Sequence, residues 1–320
     1  MQFGHKDLLG LKQLTKDEIL FILHQTSTMK YILTQNAKKT PHLHGKSVIT
    51  LFYENSTRTR LSFELASKYM SANAANITAS GSSVAKGESL IDTARTIDRM
   101  GTDVIIMRHQ QSGAPHLVAK NVNAAVVNAG DGMNEHPTQA LLDMFTILEK
   151  KGRIEGLKVA IVGDIAHSRV ARSNIYGLKK LGAEVTLGGP VTLMPPEIEK
   201  LGVKAYPSVH EAIVDADVVM GLRLQQERQK KGLIPSLREY ARFFGIDEQR
   251  MRFAKPDAIL LHPGPVNRGV ELTTGVLDLD RAFVDEQVTN GVAVRMAVLN
   301  ILTRKPSVEK RPPVKGEIIE

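Results

Sequence analysis

Short apolar runs alternate along this chain with longer stretches that carry one apolar face. Eight runs read as strands: 47–53 (SVITLFY), 74–78, 103–107 (DVIIM), 124–128 (AAVVN), 157–162 (LKVAIV), 183–187 (AEVTL), 217–222 (DVVMGL) and 258–261 (AILL). Apolar residues at helical spacing predict helices over 15–35, 59–70, 88–100, 137–150, 168–181, 208–215, 236–242, 247–253 and 287–303. Strands that alternate with helices predict an α/β fold, with parallel sheets flanked by helices. The charged, glycine-bearing segment 148–156, which contains EKKGRIEG, is the best boundary between two domains, 1–148 and 149–286. Helix 287–303 carries Val288, Val292, Met296 and Leu299 at helical spacing. It either caps the second domain or returns to the first. The tail 305–320, KPSVEKRPPVKGEIIE, is proline-rich and charged and is expected to be mobile.

Parallel sheets bind ligands beyond the carboxyl ends of their strands. Here nearly every apolar run is followed by polar or basic groups. Run 47–53 leads to Ser56-Thr57-Arg58-Thr59-Arg60, and run 103–107 to Arg108-His109. Run 124–128 leads to Asp131 and then His136-Pro137-Thr138-Gln139. Run 157–162 leads to Gly163-Asp164, His167, Ser168 and Arg169. Run 217–222 leads to Arg223 and Gln225, and run 258–261 to His262-Pro263-Gly264-Pro265. This recurrence predicts one large site that straddles the two domains.

Ser56 is a candidate N-cap, and the backbone N–H groups after it have no partner inside a helix. Such an end attracts anions, and Arg58 adds a guanidinium that can grip phosphate through two donors. Arginines in a first turn oppose the helix dipole, so a capped basic helix end alone does not account for them. In HPTQ, Pro137 suits the first helical position. That places His136 at the junction, where a helix terminus favours a neutral imidazole able to donate to a carbonyl oxygen. The loop 80–88, SGSSVAKGE, is either a connector or a mobile loop that carries Lys86 to an anion. VAIVGDIAHSRVARS, 159–173, lacks the spaced glycines of a dinucleotide site, and Arg169 stands near its helix start, suited to a carboxylate. Arg223 and Gln225, two apart, are placed on one side of a continuing strand.

Composition changes this picture only in part. The 320 residues are 42% hydrophobic and 24% charged, with a net charge of +8. A basic chain can bind nucleic acid, but only 5% of residues are aromatic, Trp is absent and no Lys/Arg block exceeds a pair, so no nucleic-acid partner is expected. No apolar run reaches the ~18 residues of a membrane span, so no membrane partner is expected either. MQFGHKDLLG does not read as a signal peptide. The absence of cysteine removes thiolate chemistry and fits a cytoplasmic location. No metal-ligand spacing appears, and neither a metal nor a cofactor is expected.

STRTR at 56–60, KGE at 86–88, MRH at 107–109, HPTQ at 136–139 and the R-x-Q of Arg223 and Gln225 together resemble the carbamoyltransferases, and LHPGPVNRG at 261–269 resembles their aspartate branch. The resemblance covers nearly the whole chain apart from the tail. It implies transfer of a carbamoyl group from carbamoyl phosphate to L-aspartate, early in de novo pyrimidine (UMP) synthesis. It implies that Ser56, Thr57, Arg58 and Thr59 hold the phosphate. Arg108, His136 and Thr59 would contact the carbonyl oxygen, and Gln139 the carbamoyl amide. Arg169, Arg223 and Gln225 would bind aspartate. The backbone carbonyls around Pro263, Gly264 and Pro265 would contact the carbamoyl amide and the amine. Ser82 and Lys86 would reach the active site of a neighbouring subunit in a homotrimer, with Lys86 serving both substrates; Ser80 and Ser83 are close alternatives to Ser82. Family members often carry Leu at 264, and because the backbone makes the contact no penalty is expected from Gly264. The family further implies a carbamoyl-phosphate domain, an aspartate domain and a last helix, 287–304, that packs back on the first. It leaves open whether a regulatory chain or a dihydroorotase associates. The ornithine branch is the nearest rival. It typically has a cysteine in the loop where HPGP stands here, and its substrate needs an acidic pocket; this chain offers arginines. A non-catalytic scaffold would have lost polar groups from the site, and none is missing.

Overall fold

A computed structural model of the chain describes residues 3–78, 87–225 and 232–304. The first half opens with α1 (Lys16–Thr34), started by a Thr15/Glu18 capping box. It continues as β1 (Ser47–Phe52), α2 (Thr57–Tyr69), β2 (Asn73–Thr78), α3 (Leu90–Arg99), β3 (Val104–His109), α4 (Ala114–Ala119), β4 (Ala125–Asp131) and α5 (Pro137–Lys151). Its four strands are parallel in the order β2-β1-β3-β4. The second half runs β5 (Lys158–Val162), α6 (Arg169–Lys180), β6 (Glu184–Gly188), β7 (Lys204–Tyr206), α7 (Val209–Ile213), β8 (Val218–Gly221), α8 (Leu237–Phe244), α9 (Glu248–Met251), β9 (Ile259–Leu261), α10 (Thr274–Leu277) and α11 (Val284–Thr303). Its five strands are parallel in the order β7-β6-β5-β8-β9. The α/β class and the parallel sheets are as the alternating pattern predicts.

Both sheets reverse their winding once. The reversal falls between β1 and β3 in the first sheet and between β5 and β8 in the second. A crevice opens at the carboxyl ends of the strands at such points. The polar clusters that follow β1, β3, β5 and β8 therefore lie at both reversals.

α5 joins the halves and ends at Gly152, whose φ of 72° suits the left-handed cap. It packs on α6 of the second half and on α11. α11 also packs against α1 and α2, which belong to the first half. Lys30 of α1 ties these helices together through Glu149 at 2.6 Å and through Glu286. Among the described residues, no helix is long and apolar enough to cross a membrane.

Several boundaries move relative to the sequence reading. α2 starts at Thr57, two residues early, because Ser56 caps it. β4 extends to Asp131, since all seven of its positions are buried and its polar end is paired inside the protein. α11 begins at Val284. β7, α4 and α10 have only three to six residues, too few for a periodic signal to appear. β8 stops at Gly221, so Arg223 and Gln225 lie on irregular chain, not on a strand continuation. The tail 305–320 lies outside the described residues.

Candidate functional site

At the first reversal, Ser56 caps α2 by accepting from the Thr59 N–H at 3.4 Å. Thr59 is buried, while Thr57 and Arg58 reach solvent. The Arg58 guanidinium lies against the turn after β9: a Cβ on Gly264 would come within 3.0 Å of Arg58 Nη1. Partial burial, and then the Arg223 guanidinium nearby, make Arg58 a weaker base than usual. Arg58 and Arg223 come from opposite sheets, so two cations repel one another across the cleft. A dianion between them relieves that repulsion.

Two further arginines meet on one carboxylate. Glu54, just past β1, accepts from Arg108 Nη2 at 2.5 Å and from Arg169 Nη2 at 2.6 Å, both on Oε1. Its Oε2 accepts from Arg169 Nη1 at 3.1 Å. Arg108 also donates to the Ala129 carbonyl at 3.3 Å. Arg169 is only 3% exposed, which sets it apart from a surface ion pair. Gly130 makes room for it: φ there is +115°, and a Cβ would lie 2.8 Å from the Arg169 Cζ.

α5 brings its own polar face. His136 occupies the N-cap position, and its N–H donates to Ser173 Oγ at 2.9 Å. Gln139 Nε2 donates to Asp143 Oδ1 at 2.9 Å, one turn deeper. Asp143 is fully buried, and burial pushes its carboxyl up to about 6 against the amides that hydrogen-bond to it.

His262 follows β9 and is buried. Its Nδ1 accepts from the Gly264 N–H at 2.9 Å, which leaves its proton on Nε2. Burial, Arg58 and Arg223 push this imidazole down to about 3, so it is neutral. Gly264 has φ +61°, a conformation that suits glycine, and a Cβ there would crowd Arg58, so glycine fits this backbone where a side chain would be strained. Pro263 is half-buried and Pro265 exposed beside it. Gln225 donates to the Arg223 carbonyl at 3.4 Å. Ser80, Ser82, Ser83 and Lys86 lie outside the described residues. Among the described residues, no cluster of three or more His, Asp or Glu is arranged to hold a metal ion. The structure thus brings Ser56, Thr57, Arg58, Thr59, Arg108, His136, Gln139, Arg169, Arg223, Gln225 and the turn 263–265 to the strand ends around the two reversals.

A profile of the aspartate/ornithine carbamoyltransferase carbamoyl-phosphate-binding domain matches residues 6–149, and a profile of the aspartate/ornithine-binding domain of the same family matches 155–302. The chain belongs to this carbamoyltransferase family. Among curated family members, it is 71% identical to the aspartate carbamoyltransferase catalytic subunit of Acetivibrio thermocellus over 304 residues, 95% of this chain and 97% of that one. It is 70% identical to the protein of that name from Ruminiclostridium cellulolyticum over 310 residues, 97% of this chain and 99% of that one. Among solved family structures, aspartate transcarbamoylase from Trypanosoma cruzi, in complex with carbamoyl phosphate and aspartate, superposes with a TM-score of 0.84 at 32% identity, covering 93% and 97% of the two chains. Ornithine carbamoyltransferase from Pyrococcus furiosus superposes equally well, with a TM-score of 0.85 at 30% identity over 96% and 99%. The fold is therefore common to both branches of the family, and the side chains must choose the acceptor.

Sequence reasoning assigned no role to Glu54 or Asp143. Glu54 stands two residues before Ser56 and Asp143 four after Gln139, so each adjoined a named motif.

Proposed function

We propose that this chain transfers the carbamoyl group of carbamoyl phosphate to the amine of L-aspartate, giving N-carbamoyl-L-aspartate and phosphate for pyrimidine synthesis. The observation that carries this reading is the charge of the cleft. Two pairs of guanidiniums, Arg58 with Arg223 and Arg108 with Arg169, stand at the strand ends around the two sheet reversals; Glu54 is already held by the second pair, and Glu271 lies near Arg223. Such a site favours two anionic substrates and disfavours the ammonium end of ornithine.

Residues 1–148 with the last helix supply the carbamoyl-phosphate side, and 149–286 the aspartate side. Ser56, Thr57, Arg58 and Thr59 hold the phosphate at the start of α2. Arg169, Arg223 and Gln225 take the aspartate carboxylates. The neutral amine attacks the carbamoyl carbon, whose oxygen gains negative charge. Arg108, Thr59 and His136 stabilise that oxygen, each donor contributing about 3 kcal/mol. The C–O bond to phosphate breaks, and the leaving phosphate takes the amine proton while Arg58 and Lys86 hold its charge. The Pro263 and Gly264 carbonyls accept from the carbamoyl NH₂ and the amine. Holding both substrates between the sheets provides orientation worth several kcal/mol. Ser82 and Lys86 act across the interface of a cytoplasmic homotrimer.

Assay of the purified chain with carbamoyl phosphate and either L-aspartate or L-ornithine, without added metal, tests this. Product with aspartate alone is expected. Product with ornithine, or none with either acceptor, overturns it.

A further inference from the structure

Asp143 lies too deep to meet either substrate, yet it organises groups that do. Its carboxylate makes no ion pair among the described residues and is surrounded by amides from three helices. Oδ1 accepts from Gln139 Nε2 at 2.9 Å and from Gln287 Nε2 of α11 at 2.8 Å. Oδ2 accepts from Asn174 Nδ2 of α6 at 2.8 Å. The charged group that faces it is Arg295 of α11, whose guanidinium bonds Ser62 at 3.1 Å and lies over the Phe63 ring.

An ionised carboxylate only accepts hydrogen bonds. Each amide must therefore turn its nitrogen inward, and that fixes where each oxygen points. Gln139 Oε1 then accepts nothing from the described residues and is not sealed in the interior. Gln287 Oε1 accepts from the His262 N–H at 2.9 Å, and His262 Nδ1 accepts from the Gly264 N–H at 2.9 Å. One buried charge thus sets both the polarity of Gln139 and the pose of the turn 262–264. Gln139 Oε1 and the carbonyls of that turn are all acceptors.

We propose that Asp143 is a positioning residue that makes the acyl-phosphate subsite an array of acceptors, and so selects an acyl phosphate bearing NH₂ over its methyl isostere. This rests on the carbamoyl-transfer reading above. A site built to bond an N–H rejects an analogue that lacks it, because its acceptors are left unpaired. The relevant pair is carbamoyl phosphate and acetyl phosphate.

The measurement is the ratio of the acetyl phosphate inhibition constant to the carbamoyl phosphate KM, taken at pH 8 on the full chain. Asp143→Leu fills the space but offers no acceptor, and is expected to lower that ratio at least about 10-fold, chiefly through carbamoyl phosphate. Asp143→Asn is expected to hold the ratio within about 3-fold of wild type. Its oxygen still faces both glutamines, and its nitrogen bonds Asn174 once that amide turns over to present Oδ1, which is buried without a hydrogen-bond partner, in place of Nδ2. Gln287→Met keeps Asp143 and Gln139 paired but releases the His262 N–H, so it is expected to lower the ratio less than Asp143→Leu; it decides the matter if Asp143→Leu does not fold. Equal weakening of both ligands, an unchanged ratio in the Leu and Met variants, or an Asn variant as unselective as Leu overturns the proposal. A wild-type chain without carbamoyl transfer instead overturns the functional reading itself.

Discussion

Glu54 and Asp143 are both acids that hold site residues in place, and they do it by opposite physics. Glu54 is clamped by two guanidiniums at the mouth of the cleft, so charge meets charge. Asp143 lies in the interior among neutral amides, with Arg295 as its charged neighbour. The first arrangement aims two cations. The second orients dipoles, and burial raises the carboxyl to about 6 in doing so. An arginine can be aimed by a counter-charge, whereas an amide, whose two ends differ only as donor and acceptor, can be oriented by a group that exclusively accepts.

The largest expected effect breaks the clamp. Glu54→Ala leaves Arg108 and Arg169 without their common anchor, and misplacement of about 1 Å in such groups lowers turnover about 100-fold. Steady-state kinetics with saturating carbamoyl phosphate reads this, and a variant within 3-fold of wild type would show that the arginines orient themselves.

The next effect is on stability and separates the two acids. Burial raises the folded-state carboxyl of Asp143 to about 6 from its ordinary 3.8, a difference worth about 3 kcal/mol. Between these values the folded chain holds a proton that the unfolded chain has lost, so this group makes stability fall as pH rises from 4 to 6. The groups facing it are Arg295 from α11 and the uncharged Gln139, Gln287 and Asn174 from α5, α11 and α6. Asp143→Asn removes the titration. Its melting temperature relative to wild type should therefore be higher at pH 8 than at pH 5, and the opposite trend would mean that the ionised acid is a net stabiliser.

The smallest effect concerns the turn that the Asp143 network holds. Gly264→Ala places a Cβ 3.0 Å from Arg58 Nη1 at φ +61°. A destabilisation of about 1 kcal/mol is expected from the backbone alone, with a several-fold rise in carbamoyl phosphate KM as Arg58 shifts. Parallel melting and KM measurements check both; an unchanged KM would mean that Arg58 has other room.

The sequence carried the strand–helix alternation, because parallel strands buried on both faces read as continuous apolar runs and helices as stripes. It also carried the polar groups at the strand ends, including the Ser56 cap and Pro137 at the start of α5, because capping and first-turn chemistry are local. It missed β7, α4 and α10, which are too short to show a period, and it placed Arg223 and Gln225 on a strand that ends at Gly221. It showed Glu54 and Asp143 as residues near motifs but gave them no task. Their tasks depend on partners far along the chain: Glu54 meets Arg169, 115 residues away, and Asp143 meets Gln287, 144 residues away. Local chemistry therefore determined which residues form the site. Only the packing of α5 against α6 and α11, and of one sheet's strand ends toward the other's, decided which way those residues point, because hydrogen-bond direction is set by whatever the fold brings within 3 Å.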